Sequence, residues 1–148
     1  MRILLQRVRS ASVKVDNQIV GQIERGLLLL VGIGAHDTES VLQPQIDKLL
    51  NLRIFPISEQ SGFDQSIRDI AGGILVVSQF TLYADCSRGR RPGFSDALPP
   101  KEAQIIFDKF CTLMKSSYKE GSVAQGIFGA YMQVELENDG PVTIMLES

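Results

Sequence analysis

The chain has 148 residues, 44% of them hydrophobic and 22% charged, with a formal net charge of −2. That length reads as one domain over residues 1–148, able to bury roughly two-thirds of its unfolded surface in a single core, and the charge excludes nucleic-acid binding driven by bulk charge. No apolar run approaches the ~18 residues of a membrane span, and the first residues lack the charged, apolar and small-residue order of a secretory signal. Cys86 and Cys111 are therefore expected as free thiols in a reducing cytoplasm.

Residues 2 to 33 predict three strands in an antiparallel meander. Ile3 to Val15 alternates imperfectly, Asp16-Asn17 is a turn, Ile19 to Glu24 is short, and Arg25-Gly26 is a second turn. Leu27 to Val31 is continuously apolar, which predicts a strand covered on both faces. Gly32-Ile33-Gly34 is too weak a pattern for a phosphate loop. The polar run His36 to Ser40 leads into a helix with Leu42, Ile46, Leu49 and Leu50 on one face, regular from Pro44 or just before it. Arg53 to Ile57 reads as a short strand, Ser58 to Gly72 as a surface loop, and Ile74 to Phe80 as a buried strand. Residues 84 to 98 form a loop rich in Arg, Gly and Pro. Pro99-Pro100 then opens a second helix whose inward stripe is Ala103, Ile106, Phe107, Phe110, Leu113 and Met114.

After Gly121 come strands around Ile127 to Glu137 and Val142 to Glu147. Asp139-Gly140 is a turn signal between two alternating runs, so the pair reads as a β-hairpin. Strands at both ends and helices in the middle predict a single α/β domain. Its mixed or antiparallel, barrel-like sheet layers would be covered by two main helices on one side.

Familiar catalytic sets are missing. His36, the one histidine, sits in a polar loop with no serine elbow nearby, so a Ser-His-Asp triad has no support. No Cys/His group has metal-ligand spacing and no glycine pattern suits a nucleotide, so neither metal nor cofactor is expected. Ser78-Gln79-Phe80-Thr81 can offer consecutive backbone N–H groups, two hydroxyls and an amide, although the hydroxyls of such a stretch can equally cap a strand end. Arg88, Arg90 and Arg91 form a local basic patch for RNA; Arg2, Arg7, Arg9 and Lys14 form a looser one. Phe128, Ala130 and Met132 alternate with Gly129, Tyr131 and Gln133 as one face of a strand would.

Ser78-Gln79-Phe80-Thr81-Leu82 and Asn138-Asp139-Gly140-Pro141-Val142-Thr143 together resemble the two signature motifs of the D-aminoacyl-tRNA deacylase family, also called D-tyrosyl-tRNA deacylase. The resemblance extends over almost the whole chain, through Gln6-Arg7-Val8, Ala11-Ser12-Val13, Leu52-Arg53-Ile54-Phe55, Gly89-Arg90-Arg91-Pro92 and Phe128-Gly129-Ala130 to Met132-Gln133-Val134. It implies an ester hydrolase that clears D-aminoacyl-tRNA in the cytoplasm, with glycine mischarged on alanine tRNA as a second substrate. It also implies a homodimer with active sites at the interface, where Gly140-Pro141 of one subunit reaches into the pocket of the other. In the family that turn is cis. Its carbonyls face the α-carbon of the aminoacyl group, hold the ammonium and collide with an L side chain. Arg7 resembles the arginine that holds the turn, and Phe128, Ala130 and Met132 match the adenine pocket. Asp64 departs from the asparagine common at its position, and the carboxylate it places in the surface loop counts against an RNA contact there.

An aminoacyl ester is an activated acyl group, so backbone oxyanion donors and a positioned water or ribose hydroxyl suffice for its hydrolysis. Two mechanisms follow. In the first, the backbone at Phe80 and Thr81 stabilises the oxyanion while the terminal 2′-hydroxyl, or a water it positions, attacks. In the second, Thr81 is the nucleophile; the first ranks higher because no residue in the motif can deprotonate Thr81. Two other classes compete: a non-catalytic RNA-binding module and a purely structural dimerisation protein.

Overall fold

The computed structural model describes residues 1–58 and 61–148. Its spine is β1 (Arg2–Val15), a strand long enough to carry three others. One edge of β1 pairs antiparallel with β3 (Gly26–Gly32) along Arg2 to Val8 and with β2 (Gln18–Ile23) along Ala11 to Val15. The expected meander is thus replaced by two strands laid end to end on one edge. The β1–β2 turn is a two-residue loop in which Asp16 and Asn17 both have positive φ, 49° and 62°, the backbone that matches the twist of a tight hairpin.

β3 pairs parallel with β4 (Gly73–Ser78), and β4 pairs parallel with β5 (Val123–Gln125). The order β2-β1-β3-β4-β5 curls until its outer strands nearly meet. A Cβ on Gly21 of β2 would stand 2.9 Å from the Gln125 carbonyl of β5, so the sheet is a nearly closed barrel.

Both helices cover one face, α1 (Leu42–Asn51) and α2 (Pro100–Ser117). Leu42, Ile46, Leu49 and Leu50 of α1 and Ala103, Phe107, Phe110, Cys111 and Met114 of α2 pack against Ile3, Leu5, Leu27, Leu29, Val31, Ile74 and Val76. The alternate residues Val8, Leu28, Leu75 and Val77 turn to the other face and fill the barrel with Val13 and Ile23. A strand buried on both sides has no polar positions, which is why Leu27 to Val31 is continuously apolar. Burial pushes the Cys111 thiol up to about 12, so it is a packing group. Among the described residues no helix is long and apolar enough to cross a membrane.

Several expected elements differ. Arg53 to Ile57 forms no strand: one antiparallel bridge joins Phe55 to Gln65, because the segment has no longer partner edge. The loop expected over Ser58 to Gly72 buries Ser66 and Ile67, and its Glu59 and Gln60 lie outside the described residues. Ile127 to Tyr131 is a turn with Gly129 at φ 74°, not the start of a strand. Short β5 precedes it, too brief for a periodicity to register.

The largest correction concerns the expected hairpin. Residues 133 to 147 are a single interrupted strand, β6 (Gln133–Glu147), and both halves pair antiparallel with β1 on the edge opposite β2 and β3. The register passes from Asn138 opposite Val8 to Thr143 opposite Gln6, so Asp139 to Val142 stand opposite Arg7 alone. Pro141 has no N–H to give a ladder, and long β1 offers one continuous edge to both halves. The chain therefore bulges where a reversal was expected.

Candidate active site

The first motif begins where β4 ends. Ser78 still pairs with Val31, and the Gln79 N–H donates to the Val31 carbonyl at 2.8 Å. The chain then leaves the sheet as a 3-10 turn over Phe80–Tyr83, not as the continued strand expected to Phe80. Leu82 N–H donates to the Gln79 carbonyl at 3.3 Å and Ala84 N–H to the Thr81 carbonyl at 3.0 Å. A helical turn leaves its first N–H groups without internal acceptors. Here those belong to Phe80 and Thr81, which are exposed and have no acceptor among the described residues. The Gln79 side-chain amide donates to Thr81 Oγ1. No basic group bonds the Thr81 hydroxyl among the described residues.

What seats this turn is a pair of glycines. A Cβ on Gly32 would stand 2.9 Å from the Gln79 carbonyl oxygen and 3.1 Å from Leu82 Cβ, and one on Gly34 would stand 2.7 Å from the Tyr83 ring. Arg2 Nη1 donates to the Leu82 carbonyl at 2.9 Å, and its guanidinium lies 4.6 Å from the centre of the Tyr83 ring. Tyr83 donates to Asp37 Oδ2 at 3.3 Å, and the same oxygen accepts the Gly34 N–H at 2.6 Å. Burial first, and then the Asp37 carboxylate, push the Tyr83 phenol up to about 12, so it remains a donor. Gly32-Ile33-Gly34, too weak for a phosphate loop, is the floor under the motif.

The second motif is the bulge in β6. Its Gly140-Pro141 peptide is cis, with Gly140 at φ 133°. Arg7, only 7% exposed, holds it: Nε donates to the Asp139 carbonyl at 3.0 Å and lies 3.1 Å from Asp139 Oδ2, while Nη1 donates to the Ile54 carbonyl at 2.5 Å. An arginine on a first strand more often serves a surface ion pair; this one ties the bulge to the segment after α1. A Cβ on Gly140 would stand 2.8 Å from Val142 Cγ2 and 2.9 Å from Arg7 Nη2.

The remaining candidates are distributed around these two centres. Phe128 is half-buried, its ring 5.6 Å from that of Phe107. Ala130 closes a turn through its N–H to the Ile127 carbonyl at 3.2 Å, and Met132 packs on the barrel interior. Since Ile127 to Tyr131 is a turn, Phe128, Ala130 and Met132 do not form the face of a strand. Arg88, Arg90 and Arg91 are exposed and pair with no carboxylate among the described residues. Their loop is closed at its base by Asp85 and Gly93, which exchange N–H···O bonds of 2.8 Å. Phe94, one residue on, packs edge-on against Phe80 with ring centres 4.9 Å apart, so the arginine loop adjoins the first motif. Asp64 Oδ2 is buried without a partner among the described residues. His36 is exposed and contributes to neither motif, and Cys86 and Cys111 are both free.

Within one chain the two motifs are anchored at different points of β1. Arg2 and Arg7, which hold one motif each, stand about 17 Å apart along β1 at about 3.4 Å per residue, and their positions alternate to opposite faces. Among the described residues no hydrogen bond or ion pair joins Ser78–Thr81 to Asn138–Thr143. Sequence reasoning passed over Gly32, Gly34, Asp37, Tyr83 and Phe94. Of these only the paired glycines after a strand left a readable trace.

Comparison with known proteins agrees with the arrangement along the whole chain. A family profile described as D-Tyr-tRNA(Tyr) deacylase matches residues 4–147. A D-aminoacyl-tRNA deacylase from Rippkaea orientalis is 52% identical over 148 residues, covering 99% of each chain. Its counterpart from Thermosipho melanesiensis is 49% identical, covering 100% of this chain and 97% of its own. Among solved structures, a c-Myc DNA unwinding element binding protein superposes with a TM-score of 0.93 at 40% identity, covering 100% of this chain and 99% of that one. A probable eukaryotic D-amino acid tRNA deacylase superposes with a TM-score of 0.85 over 98% of this chain and 97% of that one, at 20% identity, a likeness of fold alone. A profile matched nearly end to end and relatives about half identical along their full lengths place the chain in the D-aminoacyl-tRNA deacylase family.

Proposed function

We propose that this protein hydrolyses the ester bond of D-aminoacyl-tRNA, so that water is consumed and the free D-amino acid and tRNA are released. The observation that carries the reading is the pair of adjacent N–H groups of the exposed residues Phe80 and Thr81, without acceptors among the described residues, at the end of a strand buried on both faces. Two such donors can hold the oxyanion of an ester under attack, and one donor of this kind is worth about 3 kcal/mol of barrier. Ser78 and Gln79 complete the catalytic segment. A water positioned by the terminal 2′-hydroxyl makes the attack, since the hydroxyl itself would only pass the acyl group between ribose oxygens; Thr81 is disfavoured as nucleophile because, among the described residues, its hydroxyl is bonded by the amide of Gln79 and by no base.

Stereochemistry is assigned to the bulge. Asp139 to Val142 are withdrawn from the β1 ladder and tied down by Arg7, which supports a rigid backbone surface that admits a D side chain and collides with an L one. Glycine has no side chain to reject, so glycyl-tRNA, including glycine mischarged on alanine tRNA, is a second substrate. The separation of the two motifs within one chain favours a homodimer in which each bulge enters the partner's site. Phe128, Ala130 and Met132 receive the terminal adenine, and the work belongs to the cytoplasm, with translation.

Arg88, Arg90 and Arg91 contact phosphates. Replacing all three by alanine is expected to weaken tRNA binding and to flatten the slope of log affinity against log salt by about 2–3. Unchanged affinity and slope would make the loop merely solvated. The function itself is tested by incubating D-tyrosyl-tRNA in excess over the protein. Repeated release of D-tyrosine is expected; a non-catalytic RNA-binding module gives protection of the ester and no product.

A further inference from the structure

We infer that Asn138 is the positioning residue of the Gly140-Pro141 bulge and that its side chain, acting through that turn, sets the preference for D over L substrates. The inference rests on the function proposed above and deepens it by assigning a part of the stereochemical filter to a side chain that acts through the backbone of the turn.

Breaking the β1 register between Asn138 and Thr143 strips Val142 of a strand partner. Val142 is only 7% exposed, so its N–H and carbonyl have little access to water, and each needs a protein partner. The Asn138 amide supplies both: Oδ1 accepts the Val142 N–H at 2.9 Å, and Nδ2 donates to the Val142 carbonyl at 3.2 Å. This is the paired exchange a neighbouring strand would make, provided by one planar side chain. It closes a small ring whose contents are Asp139, Gly140 and Pro141. Nδ2 also lies 3.3 Å from Thr143 Oγ1, to which Gln6 Nε2 donates at 3.2 Å from β1. Arg7 grips the opposite flank through Asp139.

The chemistry of the clasp is demanding. It needs one donor and one acceptor on the same short planar group, and the partners fix which amide atom faces which. Aspartate has the shape and the acceptor but sets a carboxylate oxygen against the Val142 carbonyl. Alanine leaves both backbone groups unpaired. Either change lets the ring contents turn while the β1 ladder beyond Thr143 stays paired. Rejection by clash requires a surface fixed to a fraction of an ångström, so a loosened turn loses discrimination before the fold is lost.

The test compares kcat/KM for matched D-tyrosyl-tRNA and L-tyrosyl-tRNA in the wild-type protein, Asn138→Ala, Asn138→Asp and Gln6→Ala. The D-over-L ratio is independent of the fraction of protein folded, and the isosteric Asn138→Asp keeps the comparison available should Asn138→Ala fail to fold. A ratio lowered tenfold or more in the Asn138 variants and held within twofold of wild type in Gln6→Ala supports the clasp. A ratio within twofold of wild type in Asn138→Asp and in folded Asn138→Ala, with D-substrate still turned over, overturns the inference alone. A wild-type protein that releases neither amino acid overturns the proposed function, and the inference with it.

Discussion

Replacing Arg7 by alanine is expected to lower single-turnover release of the amino acid from D-tyrosyl-tRNA by about 100-fold or more, and to cost the fold about 2–4 kcal/mol. The rate follows from geometry. Arg7 fixes the Asp139 carbonyl at 3.0 Å and the Ile54 carbonyl at 2.5 Å from one nearly buried guanidinium, and a displacement of about 1 Å in a positioning group is worth about 100-fold. The stability loss follows from what is left behind: a buried Ile54 carbonyl without its donor, costing about 1–3 kcal/mol, and a part-buried Asp139 carbonyl without its own, costing about 1 kcal/mol, while the Asp139 carboxylate keeps Arg9 at 3.7 Å. Arg7→Lys is expected to fall between, since a single ammonium cannot serve two carbonyls in the fork geometry of a guanidinium. Urea unfolding beside the deacylation rate separates the two effects. An Arg7→Ala protein that releases D-tyrosine at the wild-type rate would contradict the role of the anchored bulge.

Gly32→Ala is the second large effect, expected to lower D-tyrosyl-tRNA hydrolysis by about 100-fold while costing about 1–3 kcal/mol of stability. The added methyl would meet the Gln79 carbonyl oxygen at 2.9 Å and Leu82 Cβ at 3.1 Å. Neither is the mobile end of a long side chain. Gln79 is held by its own N–H to Val31 at 2.8 Å, so relief must come from the 3-10 turn, and the Phe80 and Thr81 donors move with it. Gly62→Ala is the matched control, because a Cβ there meets nothing within 4 Å among the described residues. Equal rates in Gly32→Ala, Gly62→Ala and wild type would show that the donor pair does not depend on its seat.

The parts legible in the sequence were those fixed by local pattern. The α2 stripe from Ala103 to Met114 and the continuous apolar run Leu27 to Val31 both follow from which faces are buried, and both lie where expected. The candidate site residues were singled out through family resemblance, because spacing alone leaves Ser78-Gln79-Phe80-Thr81 indistinguishable from a capped strand end. What local pattern did not carry was pairing at a distance. Asp139-Gly140 signals a reversal to any rule that reads neighbours. It forms a bulge because β1, far away in sequence, holds both halves of β6. The two-stranded edge of β1 and the bridge between Phe55 and Gln65 were hidden for the same reason. Gly32 and Gly34 were visible as residues but not as a seat, since the turn they accommodate arrives from the end of β4.

The most direct measurement is single-turnover release of amino acid from matched D-tyrosyl-tRNA and L-tyrosyl-tRNA by the wild-type protein and by Thr81→Ala. Rapid release from the D substrate alone, preserved within about tenfold in Thr81→Ala, is the expected result, since the backbone N–H at position 81 survives the substitution while the hydroxyl does not. Comparable release from both substrates would contradict the stereochemical filter, and complete loss in Thr81→Ala would make the hydroxyl, not the backbone, the catalytic group.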